Sequence, residues 1–198
     1  MLNYLAMEKI INIHTHAPRE MEITPCIEGI HPWEAELWNG ELPSLTPNCE
    51  AIGEIGLDRS HELTSINQEG LFEAQLQRAE EADLPVVLHV VKAFEPTMEY
   101  LSRHKLRAVI FHGFIGSTQQ AERALQQGYY LSFGPGALRS PRTVDVIRML
   151  PDRALFLETD CSPFPIEELY AEVAVLRNTT PEALMEITRK NFNTIFKR

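Results

Sequence analysis

Short apolar runs alternate with longer amphipathic stretches along this chain. The runs fall at residues 10–13, 23–30, 51–57, 85–91, 108–111, 129–133 and 154–157, and most end near a glycine, a proline or a polar residue. Runs of this length bounded by turn formers read as strands buried on both faces. The stretches between them carry a helical period. Residues 67–82 set Leu71, Phe72, Leu76 and Ala79 on one stripe. Residues 96–104 open on Pro96, a residue suited to a first helical turn. Ser117 can cap a helix running to Gln127, where Gly128 stops it. Further helices start at Ser140-Pro141 with Val144 and Ile147 inward, at Ile166 with Leu169 and Val173 inward, and at Thr180-Pro181 with Leu184, Ile187 and Phe192.

Strand alternating with helix implies parallel strands and an α/β architecture. Several chemistry-bearing residues sit where strands end, which favours a closed barrel whose strand ends share one mouth. No glycine-rich phosphate turn marks an open doubly wound sheet. One connection is anomalous. Only six residues, 17–22, separate His16 from the strand near Ile23, and a parallel crossover usually takes about a dozen, with a helix. The expected fold is a shortened TIM-like (β/α) barrel of seven parallel strands. Either one unit is missing or the second strand joins unusually. No repeat or linker-like shift divides residues 1–198, so one domain is expected.

Composition narrows the function classes. A hydrophobic share of 44% and a charged share of 23% are those of an ordinary globular protein. No apolar run approaches the ~20 residues of a membrane span, and the N-terminus lacks the basic and apolar regions of a secretory signal. Cys26, Cys49 and Cys161 show no C-x-x-C spacing, which points to reduced thiols in a cytoplasmic protein. The net charge of −10 disfavours an extended nucleic-acid surface. It leaves room for a metal-lined pocket taking one phosphate, because divalent ions reverse the local field.

The first apolar run ends in His14-Thr15-His16. In a strand, residues i and i+2 share a face about 7 Å apart, which suits a metal clip. Alone, such a pair is about as often a pair of surface or core histidines. The later strand ends change that balance. They carry His31, Glu54 with Asp58, His89, His112, and Glu158 with Asp160, whereas Leu131-Ser132-Phe133 carries none. Histidine and carboxylate donors without cysteine suit Zn, Mn or Mg. A carboxylate such as Glu54 can bridge two ions roughly 3.5–4 Å apart.

These motifs together resemble the TatD family of metal-dependent hydrolases, within the amidohydrolase-like TIM barrels. The matching segments are His14-Thr15-His16, residues 29–32, 53–58, 84–89 and 112–117, and Glu158-Thr159-Asp160, in the family's order across most of the chain. The resemblance implies one ion on His14, His16, Glu54 and Asp160, and a second on Glu54, His89 and His112. It implies Asp160 and Glu54 as catalytic groups, Asp160 orienting or deprotonating the attacking water. The departures surround the shell. Asn12 stands where the family tends to have Asp, Val91 replaces an arginine, and Cys161-Ser162 replaces Ala-Pro.

Four residues near strand ends are candidates for holding substrate: His31, Lys92, Arg59 and Arg139. For each, shaping the rim or solvation is the simpler alternative. Phe114 and Trp33 could stack on a base or simply pack. His61 and His104 read as solvated, and Cys161 as a small packing residue. Glu158 is two residues from Asp160 and could bond a ligand histidine or pack in the barrel. The expected activity is water attack on a phosphodiester, with a small phosphoester or a nucleic-acid end as substrate. The alternatives are a hydrolase of a small amide, ester or phosphomonoester on the same shell, and a non-catalytic metal-binding relative.

Overall fold

The computed structural model of the protein describes residues 9–60 and 67–196. Among these residues, eight short strands run β1 Ile10–Ile11, β2 Glu22–Ile23, β3 Ile27–Glu28, β4 Ala51–Asp58, β5 Val86–Val91, β6 Val109–Phe111, β7 Tyr130–Phe133 and β8 Leu155–Leu157. Six α-helices interleave with the later ones: α1 Gln68–Glu81, α2 Phe94–Leu101, α3 Thr118–Gln126, α4 Pro141–Met149, α5 Ile166–Leu176 and α6 Pro181–Ile195. β3 to β8 form a parallel sheet in chain order, and β1 pairs in parallel with β2. Ile13 N–H donates to Leu157 O at 3.1 Å, and a parallel bridge joins Thr15 to Asp160, so β1 meets β8 and closes the ring.

The α/β barrel expected from the pattern is present. The second apolar run is one extended segment interrupted around Pro25. Its first half pairs with β1 and its second half with β4. Proline has no N–H for the ladder. Taken as one broken strand, it gives a ring of seven. The anomalous connection is resolved in the same place: β1 joins β2 through residues 12–21 with no helix, ending in a turn where Glu22 N–H donates to Arg19 O at 3.0 Å.

Alternation sorts side chains into two layers. Ile52, Val86, Leu88, Val109, Phe111, Leu155 and Leu157 face outward and meet Phe72, Leu76, Ala121, Val146, Leu169 and Leu184 of the helices. Ile11, Ala51, Val87, Ile110 and Phe156 form the other cluster, closed by Phe192, Ile195 and Phe196 of the C-terminal segment. Each completely buried Leu, Ile or Phe contributes roughly 1.5–3 kcal/mol, so this inner layer is a firm floor. Tyr170 of α5 donates its buried hydroxyl to Ile11 O at 2.8 Å, pinning a strand only two residues long. Ser117 caps α3 with a reciprocal capping box through Gln120, as its sequence position implies.

Candidate metal centre

The alternation that builds the floor also builds the centre above it. Two residues beyond Val87 stands His89, two beyond Ile110 stands His112, and two beyond Phe156 stands Glu158. Glu54 arrives differently. Ile52 and Ile55 both belong to the outer layer, and the β4–β5 register shifts between them. That irregularity turns Glu54, Gly56 and Asp58 to the inner face. Gly56 has φ +146°, and a Cβ there would lie 2.1 Å from His89 O, so only glycine lets β4 approach the histidine strand this closely. Asp160 also needs unusual backbone, with φ +50°.

Glu54 is central. Its Oε1 lies 3.0 Å from His14 Nε2 and 3.1 Å from His16 Nε2, while Asp160 Oδ1 lies 3.6 Å and 3.4 Å from the same nitrogens. Its Oε2 lies 2.9 Å from His112 Nε2 and 4.0 Å from His89 Nδ1, and those nitrogens are 3.3 Å apart. Donors about 2.0–2.2 Å from one tetrahedral ion stand roughly 3.3–3.6 Å from each other, a spacing that the separations in each half bracket. His14 is 3% exposed, and among the described residues its Nε2 has no well-directed hydrogen bond despite the near carboxylates. A buried imidazole nitrogen of this kind, aimed among carboxylate oxygens, fits a cation. The six residues expected as ligands are therefore gathered in two sets that meet at Glu54, and His14, His16, Glu54 and Asp160 form a group that could hold a metal ion.

Two buried carboxylates stand behind the histidines. Asp58 Oδ2 lies 3.0 Å from His89 Nε2, and Glu158 Oε1 lies 3.1 Å from His112 Nδ1. Such partners fix the tautomer and orientation of a ligand ring. Glu158 takes the ligand-bonding role weighed for it. Asp58 also accepts from Trp33 Nε1 at 2.8 Å and Ser60 N at 2.7 Å. Its role was open in the sequence; its signal was being four residues from Glu54, on one face of a strand.

The charges follow from these contacts. Burial disfavours imidazolium at His14, but the carboxylates of Asp160 and Glu54 outweigh it and raise the pKa to about 9. Burial likewise opposes charge at His112, and Glu158 with Glu54 raises it to about 10. Burial would raise Glu54, yet His112 and His14 hold its carboxyl well below the usual range. His14 chiefly lowers Asp160. Burial lowers His89, with Asp58 acting against it. At neutral pH the metal-free cluster thus carries protons on His14 and His112 that a metal must displace.

The expected substrate residues scatter. His31 stays at the centre: its ring lies 4.4 Å from that of His89, and it joins Glu54 and His89 as a possible donor group. Burial, reinforced by His89, lowers it to about 4, so it is neutral at pH 7. Its Nδ1 accepts from Trp33 N at 3.2 Å, which leaves Nε2 to carry the proton. Lys92 is exposed and lines a groove that His112 also lines. Arg59 is paired with Glu69 of α1. Arg139 is exposed on a short 3-10 helix, Ala137–Arg139, and does not line that groove. Arg142, on the first turn of α4, does line it, and nothing in the sequence around it signals that place. Trp33 is 53% exposed whereas Phe114 is buried. His104 is a correction: its side chain is 8% exposed, between Glu73 at 3.3 Å and Glu80 at 3.0 Å. Those partners lie on α1, over twenty residues away, where local polarity gives no hint of them. His61 lies outside the described residues.

The family model for TatD related DNase matches residues 6–197. The Escherichia coli K12 protein YjjV, described as a metal-dependent hydrolase, is 35% identical over 164 residues, 74% of this chain and 63% of its own length. This chain therefore spans somewhat under two thirds of that relative. A TatD protein of a Rahnella strain, described as a 3′-5′ ssDNA/RNA exonuclease, is 29% identical over 197 residues, 85% of this chain and 75% of that one. The crystal structure of Escherichia coli YjjV, a TatD homologue, superposes with a TM-score of 0.76 at 27% identity, covering 96% of this chain and 86% of the other. With a family match over nearly its whole length, the chain belongs to the TatD-related DNase family.

Proposed function

We propose that this protein is a hydrolase working on two divalent ions, Zn, Mg or Mn, and that it cuts a phosphodiester at the end of a nucleic-acid strand. The observation that carries this is Glu54, whose two oxygens each face a separate set of imidazoles. Ions held by His14, His16, Glu54 and Asp160 and by Glu54, His89 and His112 would supply Lewis acidity and make water acidic enough to attack. Asp160, kept ionised chiefly by His14, orients that water and takes its proton. Glu54 stays ionised and holds both halves in register. Neutral His31 offers its Nε2–H to a substrate oxygen.

The chain's charge of −10 suits an end held at one pocket rather than a long tract. The exonuclease description of the Rahnella relative supports the same substrate class. Residues 1–198 act as one domain in this reading. Its thiols at Cys26, Cys49 and Cys161 are free, which suits the cytoplasm. Among the described residues, no helix is long and apolar enough to cross a membrane.

The test is a panel of a 3′-labelled single-stranded oligonucleotide, small phosphoesters and acylated amides or esters, run on metal-loaded protein. Shortening of the oligonucleotide from one end is expected, with a loss on the order of a hundredfold or more in Asp160→Asn. Full activity in that variant overturns the mechanism. Turnover confined to small esters or phosphomonoesters favours the second reading, for which Val91 in place of the family's arginine is the motive.

A further inference from the structure

A groove of about 430 Å³ opens beside the centre, between the ends of β5 and β6 and the first turns of α2, α3 and α4. His112 belongs to its wall, so groove and centre share a residue. Lys92 and Arg142 also line it, and both are exposed. Neither has an ion-pair or hydrogen-bond partner for its side chain among the described residues. Glu95 is the acidic residue of the wall, and Arg123 engages it at 2.5 Å. The free charge of the groove is therefore positive, in a chain whose net charge is −10. Phe94 and Phe114 give it an apolar base, and Ile115, 61% exposed, forms an apolar lip. Two cations above an apolar wall, in a space of small-ligand size, suit an anionic group attached to a flat or apolar body.

We propose that this groove binds the phosphate next to the one that is cut, with Lys92 and Arg142 holding its oxygens and the Phe114–Ile115 wall against the sugar and base between. The proposal rests on the phosphodiesterase reading and sharpens it: the preferred substrate carries a second phosphate one nucleoside from the scissile bond.

The test compares wild type with a Lys92→Asn, Arg142→Gln double variant, both loaded with metal. Asparagine is chosen at 92 because Lys92 has φ +52°, which Asn tolerates better than Ala. The probes are dithymidine monophosphate, its 5′-phosphorylated and 3′-phosphorylated forms, and bis(p-nitrophenyl) phosphate. Wild type is expected to show a KM roughly tenfold lower for one phosphorylated form than for the unphosphorylated dinucleotide. The double variant is expected to erase that difference, with kcat within about twofold and bis(p-nitrophenyl) phosphate unaffected. Persistence of the difference in the variant, its absence in wild type, or an equal KM rise for all four probes overturns the groove. If metal-loaded wild type cleaves none of them, the phosphodiesterase reading fails by itself. The groove is then tested by titrating thymidine 5′-phosphate and 3′-phosphate into both proteins. Binding at least tenfold weaker in the double variant upholds it, and equal or absent binding overturns it.

Discussion

The two oxygens of Glu54 face halves of the centre that are held by different means. On the Oε2 side, a buried carboxylate backs each imidazole: Asp58, 1% exposed, behind His89, and Glu158, completely buried, behind His112. On the Oε1 side, no hydrogen bond to a carboxylate backs either ring among the described residues. His14 Nδ1 is buried without a hydrogen-bond partner, His16 is 55% exposed and Asp160 44% exposed. Backbone holds this half instead. Asp160 N–H donates to His14 O at 3.1 Å and His16 N–H to Asp160 O at 3.2 Å, across the seam where the barrel closes. One half is thus oriented by side-chain chemistry and the other by the closure of the fold, so different substitutions should damage each.

The largest effect belongs to the residue the halves share. Glu54→Gln removes one donor charge from both and should lower turnover on the order of a thousandfold. Metal analysis by mass spectrometry should show both ions lost. Retention of one ion would show that one half stands without the bridge. Next come the backing carboxylates. Glu158→Gln and Asp58→Asn should each weaken metal binding or activity by roughly 10–100-fold, with the loss confined to one ion of the two. Equal loss of both ions would mean that the halves are coupled through Glu54 rather than held separately.

Residue chemistry at strand ends announced the cluster, because parallel strands in a ring deliver their last inward residues to one place. His89 and His112 continue the inward parity of Val87 and Ile110. Glu54 does not: it is three residues from inward Ala51, and simple alternation would turn it away. The shift within β4 that corrects its direction has no apolar or polar pattern of its own, so the motif identified Glu54 where periodicity could not. Glu158 and Asp160 show the converse. Alternation sets them on one face, yet β8 ends at Leu157 and Asp160 turns into the left-handed region. Glu158 therefore backs His112 while Asp160 faces His14 and His16. The second apolar run reads as one strand over 23–30, and its break around Pro25, like the neighbour each half pairs with, depends on closure of the whole ring.

Protons give a way to sharpen the comparison, since each half holds one. His14 is raised to about 9 and His112 to about 10 in the metal-free protein. Metal binding must release them, so affinity at each half should rise about tenfold per pH unit between pH 7 and 9. Calorimetry in buffers of different ionisation enthalpy would count the protons. Without metal the sign reverses. Imidazolium–carboxylate contacts stabilise the fold in full below pH 6.5, the unfolded value, and that contribution fades as pH rises and is gone above about 10. Chelator-stripped protein should melt at a lower temperature at pH 9.5 than at pH 6.5. A flat melting profile would mean that these imidazoles are not charged in the stripped state.

The smallest expected effect falls on the seam. Asn12, completely buried, donates its Nδ2 to Glu22 Oε2 at 3.0 Å and Thr159 Oγ1 at 2.8 Å, and its Oδ1 accepts from Thr159 N at 3.0 Å. One amide therefore ties β1 to the helix-free second strand and to the chain beyond β8. The carboxamide is required by the partner: Glu22 is itself 9% exposed, and an aspartate at position 12 would set two carboxylates against each other. Asn12→Asp should cost about 1–2 kcal/mol at pH 7.5. The deficit should shrink toward pH 5, because a carboxyl beside another carboxylate has a raised pKa and regains its proton there. Pairing it with Glu22→Gln should recover most of the loss, as a double-mutant cycle followed by urea unfolding would show. Metal binding should weaken more on the Oε1 side than on the Oε2 side, because the first depends on this closure and the second on Asp58 and Glu158. Equal weakening of both ions would remove the distinction between a half built by the seam and a half built by its side chains.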